Sequence, residues 1–173
     1  MSTSTQTDRS LVLADLVRRQ AETRPAKIAF IFEDSEISYE ELNLGANKVA
    51  NGLLDGGTQP SERVVYLGKN APEYFELLMG VSKAGAVTCP VNWRHASTEI
   101  AYIVNDTRAR CMFVGPEFVE QIADLKSALP NVERFFVMTG MFSGFENYEA
   151  WRDSQSDKAV QIDRKFEDDA LQL

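Results

Sequence analysis

The sequence is poor in the residues that build disulfide frameworks and metal centres. Its 173 residues include one histidine, His95, and two cysteines, Cys89 and Cys111, with no CxxC pair. This composition argues against a disulfide-stapled fold and against a zinc site made of cysteine and histidine. Both cysteines lie in apolar runs, so we expect buried free thiols and no metal site.

Several motifs of nucleotide-binding and hydrolytic proteins are also missing. The chain contains neither GxxxxGK[ST] nor GxGxxG, the common glycine-rich phosphate loops, and it has no GxSxG nucleophile elbow. No run approaches the roughly 18 apolar residues that a membrane-spanning helix needs. We therefore expect no transmembrane segment, no phosphate-binding loop of either glycine-rich type and no nucleophile elbow.

The net charge and the N-terminal residues indicate which partners and which location to expect. The formal net charge is -8 and the sequence pI is about 4.7, which argues against nucleic acid as a partner. Residues 1–10 are polar and rich in Ser and Thr, which predicts a disordered tail rather than a secretory signal. These features favour a soluble, cytoplasmic protein.

The first third of the chain predicts a helix, a hairpin and a second helix. Ser10 is placed to cap a helix over residues 11–23, whose apolar face would consist of Leu13, Leu16 and Val17. Residues 28–32 and 36–38 predict an antiparallel hairpin that turns at 33–35. The next helix begins with a capping box of Ser38 and Glu41, and Gly56-Gly57 ends it.

From residue 63 onward, strands and helices alternate. The predicted strands are 63–67, 86–91, 111–114 and 134–138. Between the first two strands a helix capped by Asn70 and ended by Gly85 would bury a set of mostly apolar residues: Tyr74, Phe75, Leu78, Met79 and Val81. Further helices are predicted from Ser97 or Thr98, over 115–130 and around 148–151.

This alternation predicts an α/β fold, a mainly parallel sheet with helices on both faces. The expected organisation is a tail (1–10), an α/β subdomain (11–152), and a linker with the start of a further strand (153–173).

The loop after the strand 86–91 carries the candidate site residues. Arg94 and His95 stand there beside Trp93, at the carboxyl end of a predicted parallel strand, where ligand sites of open α/β sheets gather. We take Arg94 and His95 as candidate substrate-binding residues. The alternatives are a salt bridge within the protein for Arg94 and an ordinary surface position for His95. No catalytic residue is assigned.

Three segments resemble the adenylate-forming enzymes, which include acyl-CoA synthetases, firefly luciferases and the adenylation domains of peptide synthetases. Residues 37–43 (ISYEELN), with the pairs Ala46-Asn47 and Gly52-Leu53, resemble that family's first core motif. Residues 83–92 (KAGAVTCPVN) resemble its second. Residues 168–173 (DDALQL) resemble the lead-in to its phosphate loop.

The subclass that the chain most resembles is that of the fatty acyl-CoA ligases. Residues 92–94 (NWR) are followed by the positions that carry the similarity: Glu99, Ile100, Tyr102, Ile103 and Asp106. Peptide-synthetase adenylation domains usually carry an acidic residue where Asn92 stands.

The resemblance implies a two-step reaction for the family. ATP and a carboxylate give an acyl-adenylate with the help of Mg2+, and coenzyme A then displaces AMP. The family's catalytic groups have no matching positions here. The chain is therefore expected to be an inactive N-terminal fragment of a fatty acid–CoA ligase, with no cofactor of its own. Its expected partners are the C-terminal part of that ligase and a second copy bound through an exposed sheet edge or helix faces.

Two other functions remain open on the sequence. The chain could be a non-enzymatic α/β module for binding or dimerisation, which predicts a compact species of fixed stoichiometry. It could also be an unrelated flavodoxin-like nucleotide binder, although it has no glycine-rich turn from strand to helix.

Overall fold

The computed structural model describes residues 13–162 and 168–173. The helices are α1 (Leu13–Thr23), α2 (Tyr39–Asp55), α3 (Pro72–Lys83), α4 (Ser97–Thr107), α5 (Val119–Leu125) and α6 (Tyr148–Asp153). The strands are β1 (Ile28–Phe32), β2 (Ser35–Ser38), β3 (Arg63–Leu67), β4 (Val87–Val91), β5 (Cys111–Val114), β6 (Arg134–Val137) and β7 (Glu146–Asn147). In the described ranges, no helix is long and apolar enough to cross a membrane.

The sheet is parallel and five-stranded, in the order β4-β3-β5-β6-β7. The strands β1 and β2 form a separate antiparallel hairpin. The fold class predicted from the alternating pattern is therefore confirmed. The structure adds β7, which the sequence did not predict. At the predicted start of a further strand it has a single parallel bridge, between Thr88 and Leu171.

Two apolar layers cover the sheet because side chains of each strand alternate between its faces. One layer contains Val65 and Leu67 of β3 with α4 and α5. The other contains Val64 and Tyr66 of β3 with α2, α3 and α6. In the second layer the rings of Phe113 and Phe136 are stacked at 4.5 Å, and Tyr148 meets Phe113 edge-on.

The predicted capping box of α2 is confirmed. The Ser38 hydroxyl oxygen accepts the Glu41 N–H at 3.2 Å, and the Glu41 carboxylate accepts the Ser38 N–H at 2.8 Å. These bonds satisfy amide groups that a helix end leaves without partners. Hydrogen bonds from the Ser38 backbone and side chain also hold the pKa of Glu41 below its ordinary value.

Two details of the first helices differ from the prediction. Leu16 is 51% exposed, and the buried positions of α1 are Ala14 and Val17. The helix α3 begins at Pro72 with Ala71 at its N-cap and no side-chain cap, because Asn70 stands one residue too early. The predicted cap Ser10, and residues 11 and 12, lie outside the described residues, as does the predicted tail (1–10).

The buried stripe of α3 is rotated from the predicted one. Val81 is buried as predicted, and Leu77 and Gly80 also face inward, whereas Phe75 is 37% exposed. Gly80 allows the close contact with α2, since a Cβ there would lie 2.4 Å from Cβ of Val49. The aromatic residues of α3 therefore suggested the wrong inward face, because that face is determined by the small residue Gly80 and its contact with α2.

The helix predicted over 115–130 is divided into shorter turns. It consists of a 3-10 turn (Pro116–Phe118), α5 and a second 3-10 turn (Lys126–Ala128). Its apolar positions still point inward, because Ile122 and Leu129 are buried. The apolar residues of this segment therefore keep their periodic burial, although its turns alternate between 3-10 and α-helical geometry.

We expect the substitution Ser38→Ala to lower the free energy of unfolding by about 1 kcal/mol, because an N-terminal amide of α2 loses its acceptor. Urea denaturation would measure it, with Ser35→Ala on exposed β2 as the matched control. The pKa of Glu41 is lowered on folding, so its contribution is present above its ordinary pKa of 4.5 and is lost as the pH falls through the folded value. If Ser38→Ala lowers the free energy of unfolding equally in acid and at neutral pH, the assigned pairing of Ser38 with Glu41 is contradicted.

Candidate functional site

The connections of the sheet reverse direction at the carboxyl ends of β3 and β5. The chain leaves β3 through α3 toward β4, and it leaves β5 through α5 on the opposite face toward β6. Crevices at such reversals are where open α/β sheets bind ligands. The site should therefore be sought at this rim of the sheet.

The two loops at this reversal close against each other. A Cβ on Gly115 would lie 3.2 Å from Cα of Gly68, so neither backbone leaves room for a ligand between them. Lys69 on one loop pairs with Glu117 on the other at 3.6 Å. The open space lies instead beside the carboxyl ends of β3 and β4.

A cavity of about 450 Å³ lies at the ends of β3 and β4. Its polar lining is Lys69, Asn70 and Asn92, and Trp93 supplies an aromatic wall. A second cavity of similar volume adjoins it, because both share Pro90, Val91, Asn92 and Leu173. Together they follow the outer side of β4 toward α4.

The loop that carries the predicted site residues is a tight turn at this rim. The Asn92 side-chain oxygen accepts the Arg94 N–H at 3.0 Å, and the Asn92 carbonyl accepts the His95 N–H at 3.1 Å. Asn92 therefore fixes the turn through both of its oxygens. The sequence did not single out this role.

Arg94 is exposed and lies against an aromatic platform. Its guanidinium carbon is 4.6 Å from the centre of the Trp93 ring, which in turn lies 6.0 Å from the Phe118 ring. Lys69 approaches the same Trp93 ring at 5.8 Å. This arrangement places two cations beside one aromatic surface, a setting suited to an anion that also carries a flat or apolar group.

His95 lies at the other end of the turn and faces the second cavity. Its Nδ1 is 3.5 Å from the Glu99 carboxylate, and that carboxylate also accepts the Ala96 N–H at 2.8 Å. Glu99 thus accepts a hydrogen bond at the start of α4 and also lies beside the imidazole of His95. Arg94 and His95 are neighbours in the chain, but only His95 lines one of the two cavities, whereas Arg94 lies outside both on the face of Trp93.

Neither cysteine has the properties of a nucleophile. Both are free, with Cys89 buried and Cys111 partly buried. Burial raises the pKa of the Cys111 thiol to about 11, and it also raises that of Cys89, which lines the second cavity. Both thiols are therefore protonated near neutral pH.

The described residues do not form a metal centre. Across 13–162 and 168–173, no three or more His, Cys, Asp or Glu side chains are grouped to hold an ion. We therefore assign no magnesium ligand among these residues.

A cluster that sequence reasoning missed joins the two motifs. Lys83, expected at a helix end, is 5% exposed, and its ammonium donates to the side-chain oxygens of Asn43 at 2.6 Å and Asn47 at 2.5 Å. Asn47 also donates to the Asp157 carbonyl at 2.8 Å. The available signal was the four-residue spacing of Asn43 and Asn47, which places both amides on one face of α2.

The family model for AMP-binding enzymes matches residues 17–170. The fold and the two motifs thus define an adenylate-forming type of protein, and the chain belongs to the AMP-binding enzyme family. The resemblance drawn from the motifs is confirmed.

Individual relatives extend this comparison. The fatty acid–[acyl-carrier-protein] ligase ScoC of Streptomyces coeruleorubidus is 34% identical over 137 residues, which are 79% of this chain and 25% of that protein. The indoleacetate–CoA ligase of Aromatoleum aromaticum is 33% identical over 120 residues, 69% of this chain and 24% of that protein. This chain therefore spans about a quarter of the length of these curated relatives.

A solved structure gives the same correspondence. The anthranilate CoA ligase AuaEII, in complex with anthranoyl-AMP, superposes with a TM-score of 0.87 at 27% identity. The match covers 92% of this chain and 31% of that one.

We expect Lys83→Met to lower the free energy of unfolding by about 2–3 kcal/mol, because the amide oxygens of Asn43 and Asn47 lose a buried charged donor. The matched control is Lys48→Met, which removes a more exposed pair with Asp153 and should cost less than about 1 kcal/mol. Urea denaturation would measure both. Equal losses would show that Lys83 contributes only as an ordinary surface cation.

Proposed function

We propose that this chain is the N-terminal portion of an ATP-dependent fatty acid–CoA ligase. The observation that carries the proposal is the family match over residues 17–170, together with relatives that join carboxylic acids to thiol carriers. In the proposed reaction the carboxylate displaces pyrophosphate from ATP, and the thiol of coenzyme A then displaces AMP. ATP, Mg2+ and coenzyme A would be bound by the whole ligase.

The proposed part of this portion is to support the site and not to perform the chemistry. Its two motifs serve packing: the Lys83 cluster holds α3 on α2, and Gly85 adopts a φ of 73° at the turn into β4. This framework fixes the position from which the 92–95 turn leaves the sheet. On this view the isolated chain is inactive, and its partner is the remainder of the ligase.

Arg94 and His95 are the proposed contacts of this portion with substrate. Arg94 offers a permanent cation on the face of Trp93, and His95 lies beside the cavity that follows β4. Both side chains are accessible at the rim where α/β sheets bind ligands. We propose that Arg94 binds an anionic group and that His95 helps to shape the adjoining pocket.

A cytoplasmic location completes the proposal. Two free thiols, one of them buried in the second cavity's wall, are typical of a protein kept in a reducing compartment.

We expect the purified 173-residue chain to release no pyrophosphate from ATP in the presence of fatty acids of any chain length. A longer product of the same reading frame, continuing past Leu173 into a Ser/Thr/Gly-rich phosphate loop, should do so. Pyrophosphate release, with each protein at equal concentration, measures the difference. Turnover by the short chain would overturn the proposal, as would an inactive long product that is folded.

In that longer ligase we expect Arg94→Ala to raise the KM of the anionic substrate that it contacts by about tenfold, because an accessible charge-assisted contact is lost. Arg24→Ala, at an exposed position after α1, is the matched control and should leave KM unchanged. Steady-state titration of ATP, fatty acid and coenzyme A in turn identifies the substrate affected. Unchanged KM values for all three would remove Arg94 from the site.

A further inference from the structure

The segment 168–173 is joined to β4 by few backbone hydrogen bonds. Within the described ranges, the Thr88 N–H donates to the Ala170 carbonyl at 3.0 Å, and the Gln172 N–H donates to the Thr88 carbonyl at 2.9 Å. In a parallel ladder the next bond would join the N–H of residue 90 to the Gln172 carbonyl, and Pro90 has no N–H. Backbone pairing alone therefore holds this segment weakly.

A side-chain hydrogen bond reaches the same segment across β4. Arg63 is the first residue of β3, and its Nε donates to the side-chain oxygen of Gln172 at 2.9 Å. The strand β4 lies between these two residues, because it pairs with β3 on one side and Thr88 meets Leu171 on the other. The bond thus connects the segment directly to the second strand of the sheet.

The guanidinium of Arg63 is oriented by a second hydrogen bond. Its Nη1 donates to the Ser61 carbonyl at 2.9 Å, and the Ser61 N–H donates to the Gly85 carbonyl at 2.8 Å. Because the guanidinium is planar, the bond at Nη1 also restricts the direction in which Nε points. Arg63 therefore loses little further freedom when it binds Gln172.

The bond between Arg63 and Gln172 distinguishes the observed register from its neighbours. In that register Leu171 lies opposite Thr88. A shift by one residue would turn the side chain of Gln172 to the opposite face of the sheet, away from Arg63. A shift by two residues would move that side chain about 7 Å along β4. Backbone groups are the same at every residue, so the register has to be selected by side chains such as this pair.

This register determines where the segment reaches the rim of the sheet. Leu173 lines both cavities beside β4, and Asn92 of the 92–95 turn lines them as well. The chain that follows the segment in a longer ligase therefore starts at the wall of the candidate site. The resemblance in residues 168–173 places the phosphate loop directly after this point.

We propose that Arg63 is a positioning residue of the ligase: through Gln172 it fixes the register of the segment 168–173 on β4, and it thereby places the phosphate loop that binds ATP. The second step rests on the proposed function, whereas the register is a property of this chain alone. Arg63 itself does not contact ATP in this assignment. Its loss displaces the loop and removes no reacting group.

Amide hydrogen exchange of the 173-residue chain, followed by NMR, tests the register. Gln172→Leu removes the acceptor and keeps the bond from Arg63 to Ser61. We expect the amides of Thr88 and of position 172 to exchange about tenfold faster, because local opening of the segment costs less. Arg63→Met should have the same effect. The double variant should be no worse than Arg63→Met, because both substitutions break the same bond.

Two controls show whether the effect is local. The Met138 amide donates to the Val114 carbonyl at 2.9 Å on another pair of strands, and its exchange should be unchanged in every variant. Arg110→Met removes an equal charge just before β5, where Arg110 pairs with Glu133 at 2.7 Å. This variant should leave the exchange of the segment unchanged.

Steady-state kinetics of the longer ligase test the second step. Gln172→Leu and Arg63→Met should each raise the KM of ATP about tenfold and leave the KM of coenzyme A unchanged, because the displaced loop binds ATP. A substitution that only lowers the folded fraction reduces kcat and leaves both KM values unchanged. The pattern of KM and kcat therefore separates positioning from stability.

The two experiments fail in distinguishable ways. If Gln172→Leu does not change the exchange of the segment, Arg63 does not fix the register, whatever the ligase does. Faster exchange with an unchanged KM of ATP overturns the placing of the phosphate loop. A folded longer product that releases no pyrophosphate overturns the proposed function and this placing with it, while the exchange result alone decides the register.

Discussion

One buried ammonium group holds the two family motifs together. Lys83 sits at the end of α3, almost without exposure, and its charge is satisfied by amide oxygens from α2. A buried charge without such partners would be costly, so the contact between the two helices and the identities of Asn43 and Asn47 depend on each other. Asn47 and Asn51 then bind carbonyls of residues 156–158, which directs the chain from α6 back along α2.

The architecture could be predicted because its signals are local. The capping box at Ser38, the stop at Gly57 and the turn at Gly85 each depend on a few adjacent residues, and the structure shows all three. The errors arose where the partner is distant. The inward face of α3 is determined by the fit of Gly80 against Val49, and no pattern within α3 reports the position of α2.

The position of the candidate residues at the sheet rim could be predicted from the sequence, but their side-chain contacts could not. The rule for parallel strands located Arg94 and His95 at the sheet rim, and the structure places them there, in the turn after β4. The stacking of Arg94 on Trp93, the support from Phe118 and the approach of Lys69 join three separate loops. Such contacts depend on tertiary packing, and no local pattern reports how those loops are aligned with one another.

Pro90 has a consequence for the growth of the sheet. Thr88 bonds outward to residues 170 and 172, and since outward groups alternate along β4, the next outward amide would belong to Pro90, which has none. A strand laid beside β4 therefore lacks one ladder hydrogen bond at Pro90. This outer edge is consequently a poorer template for an incoming chain, which guards this side of the sheet against edge-to-edge stacking.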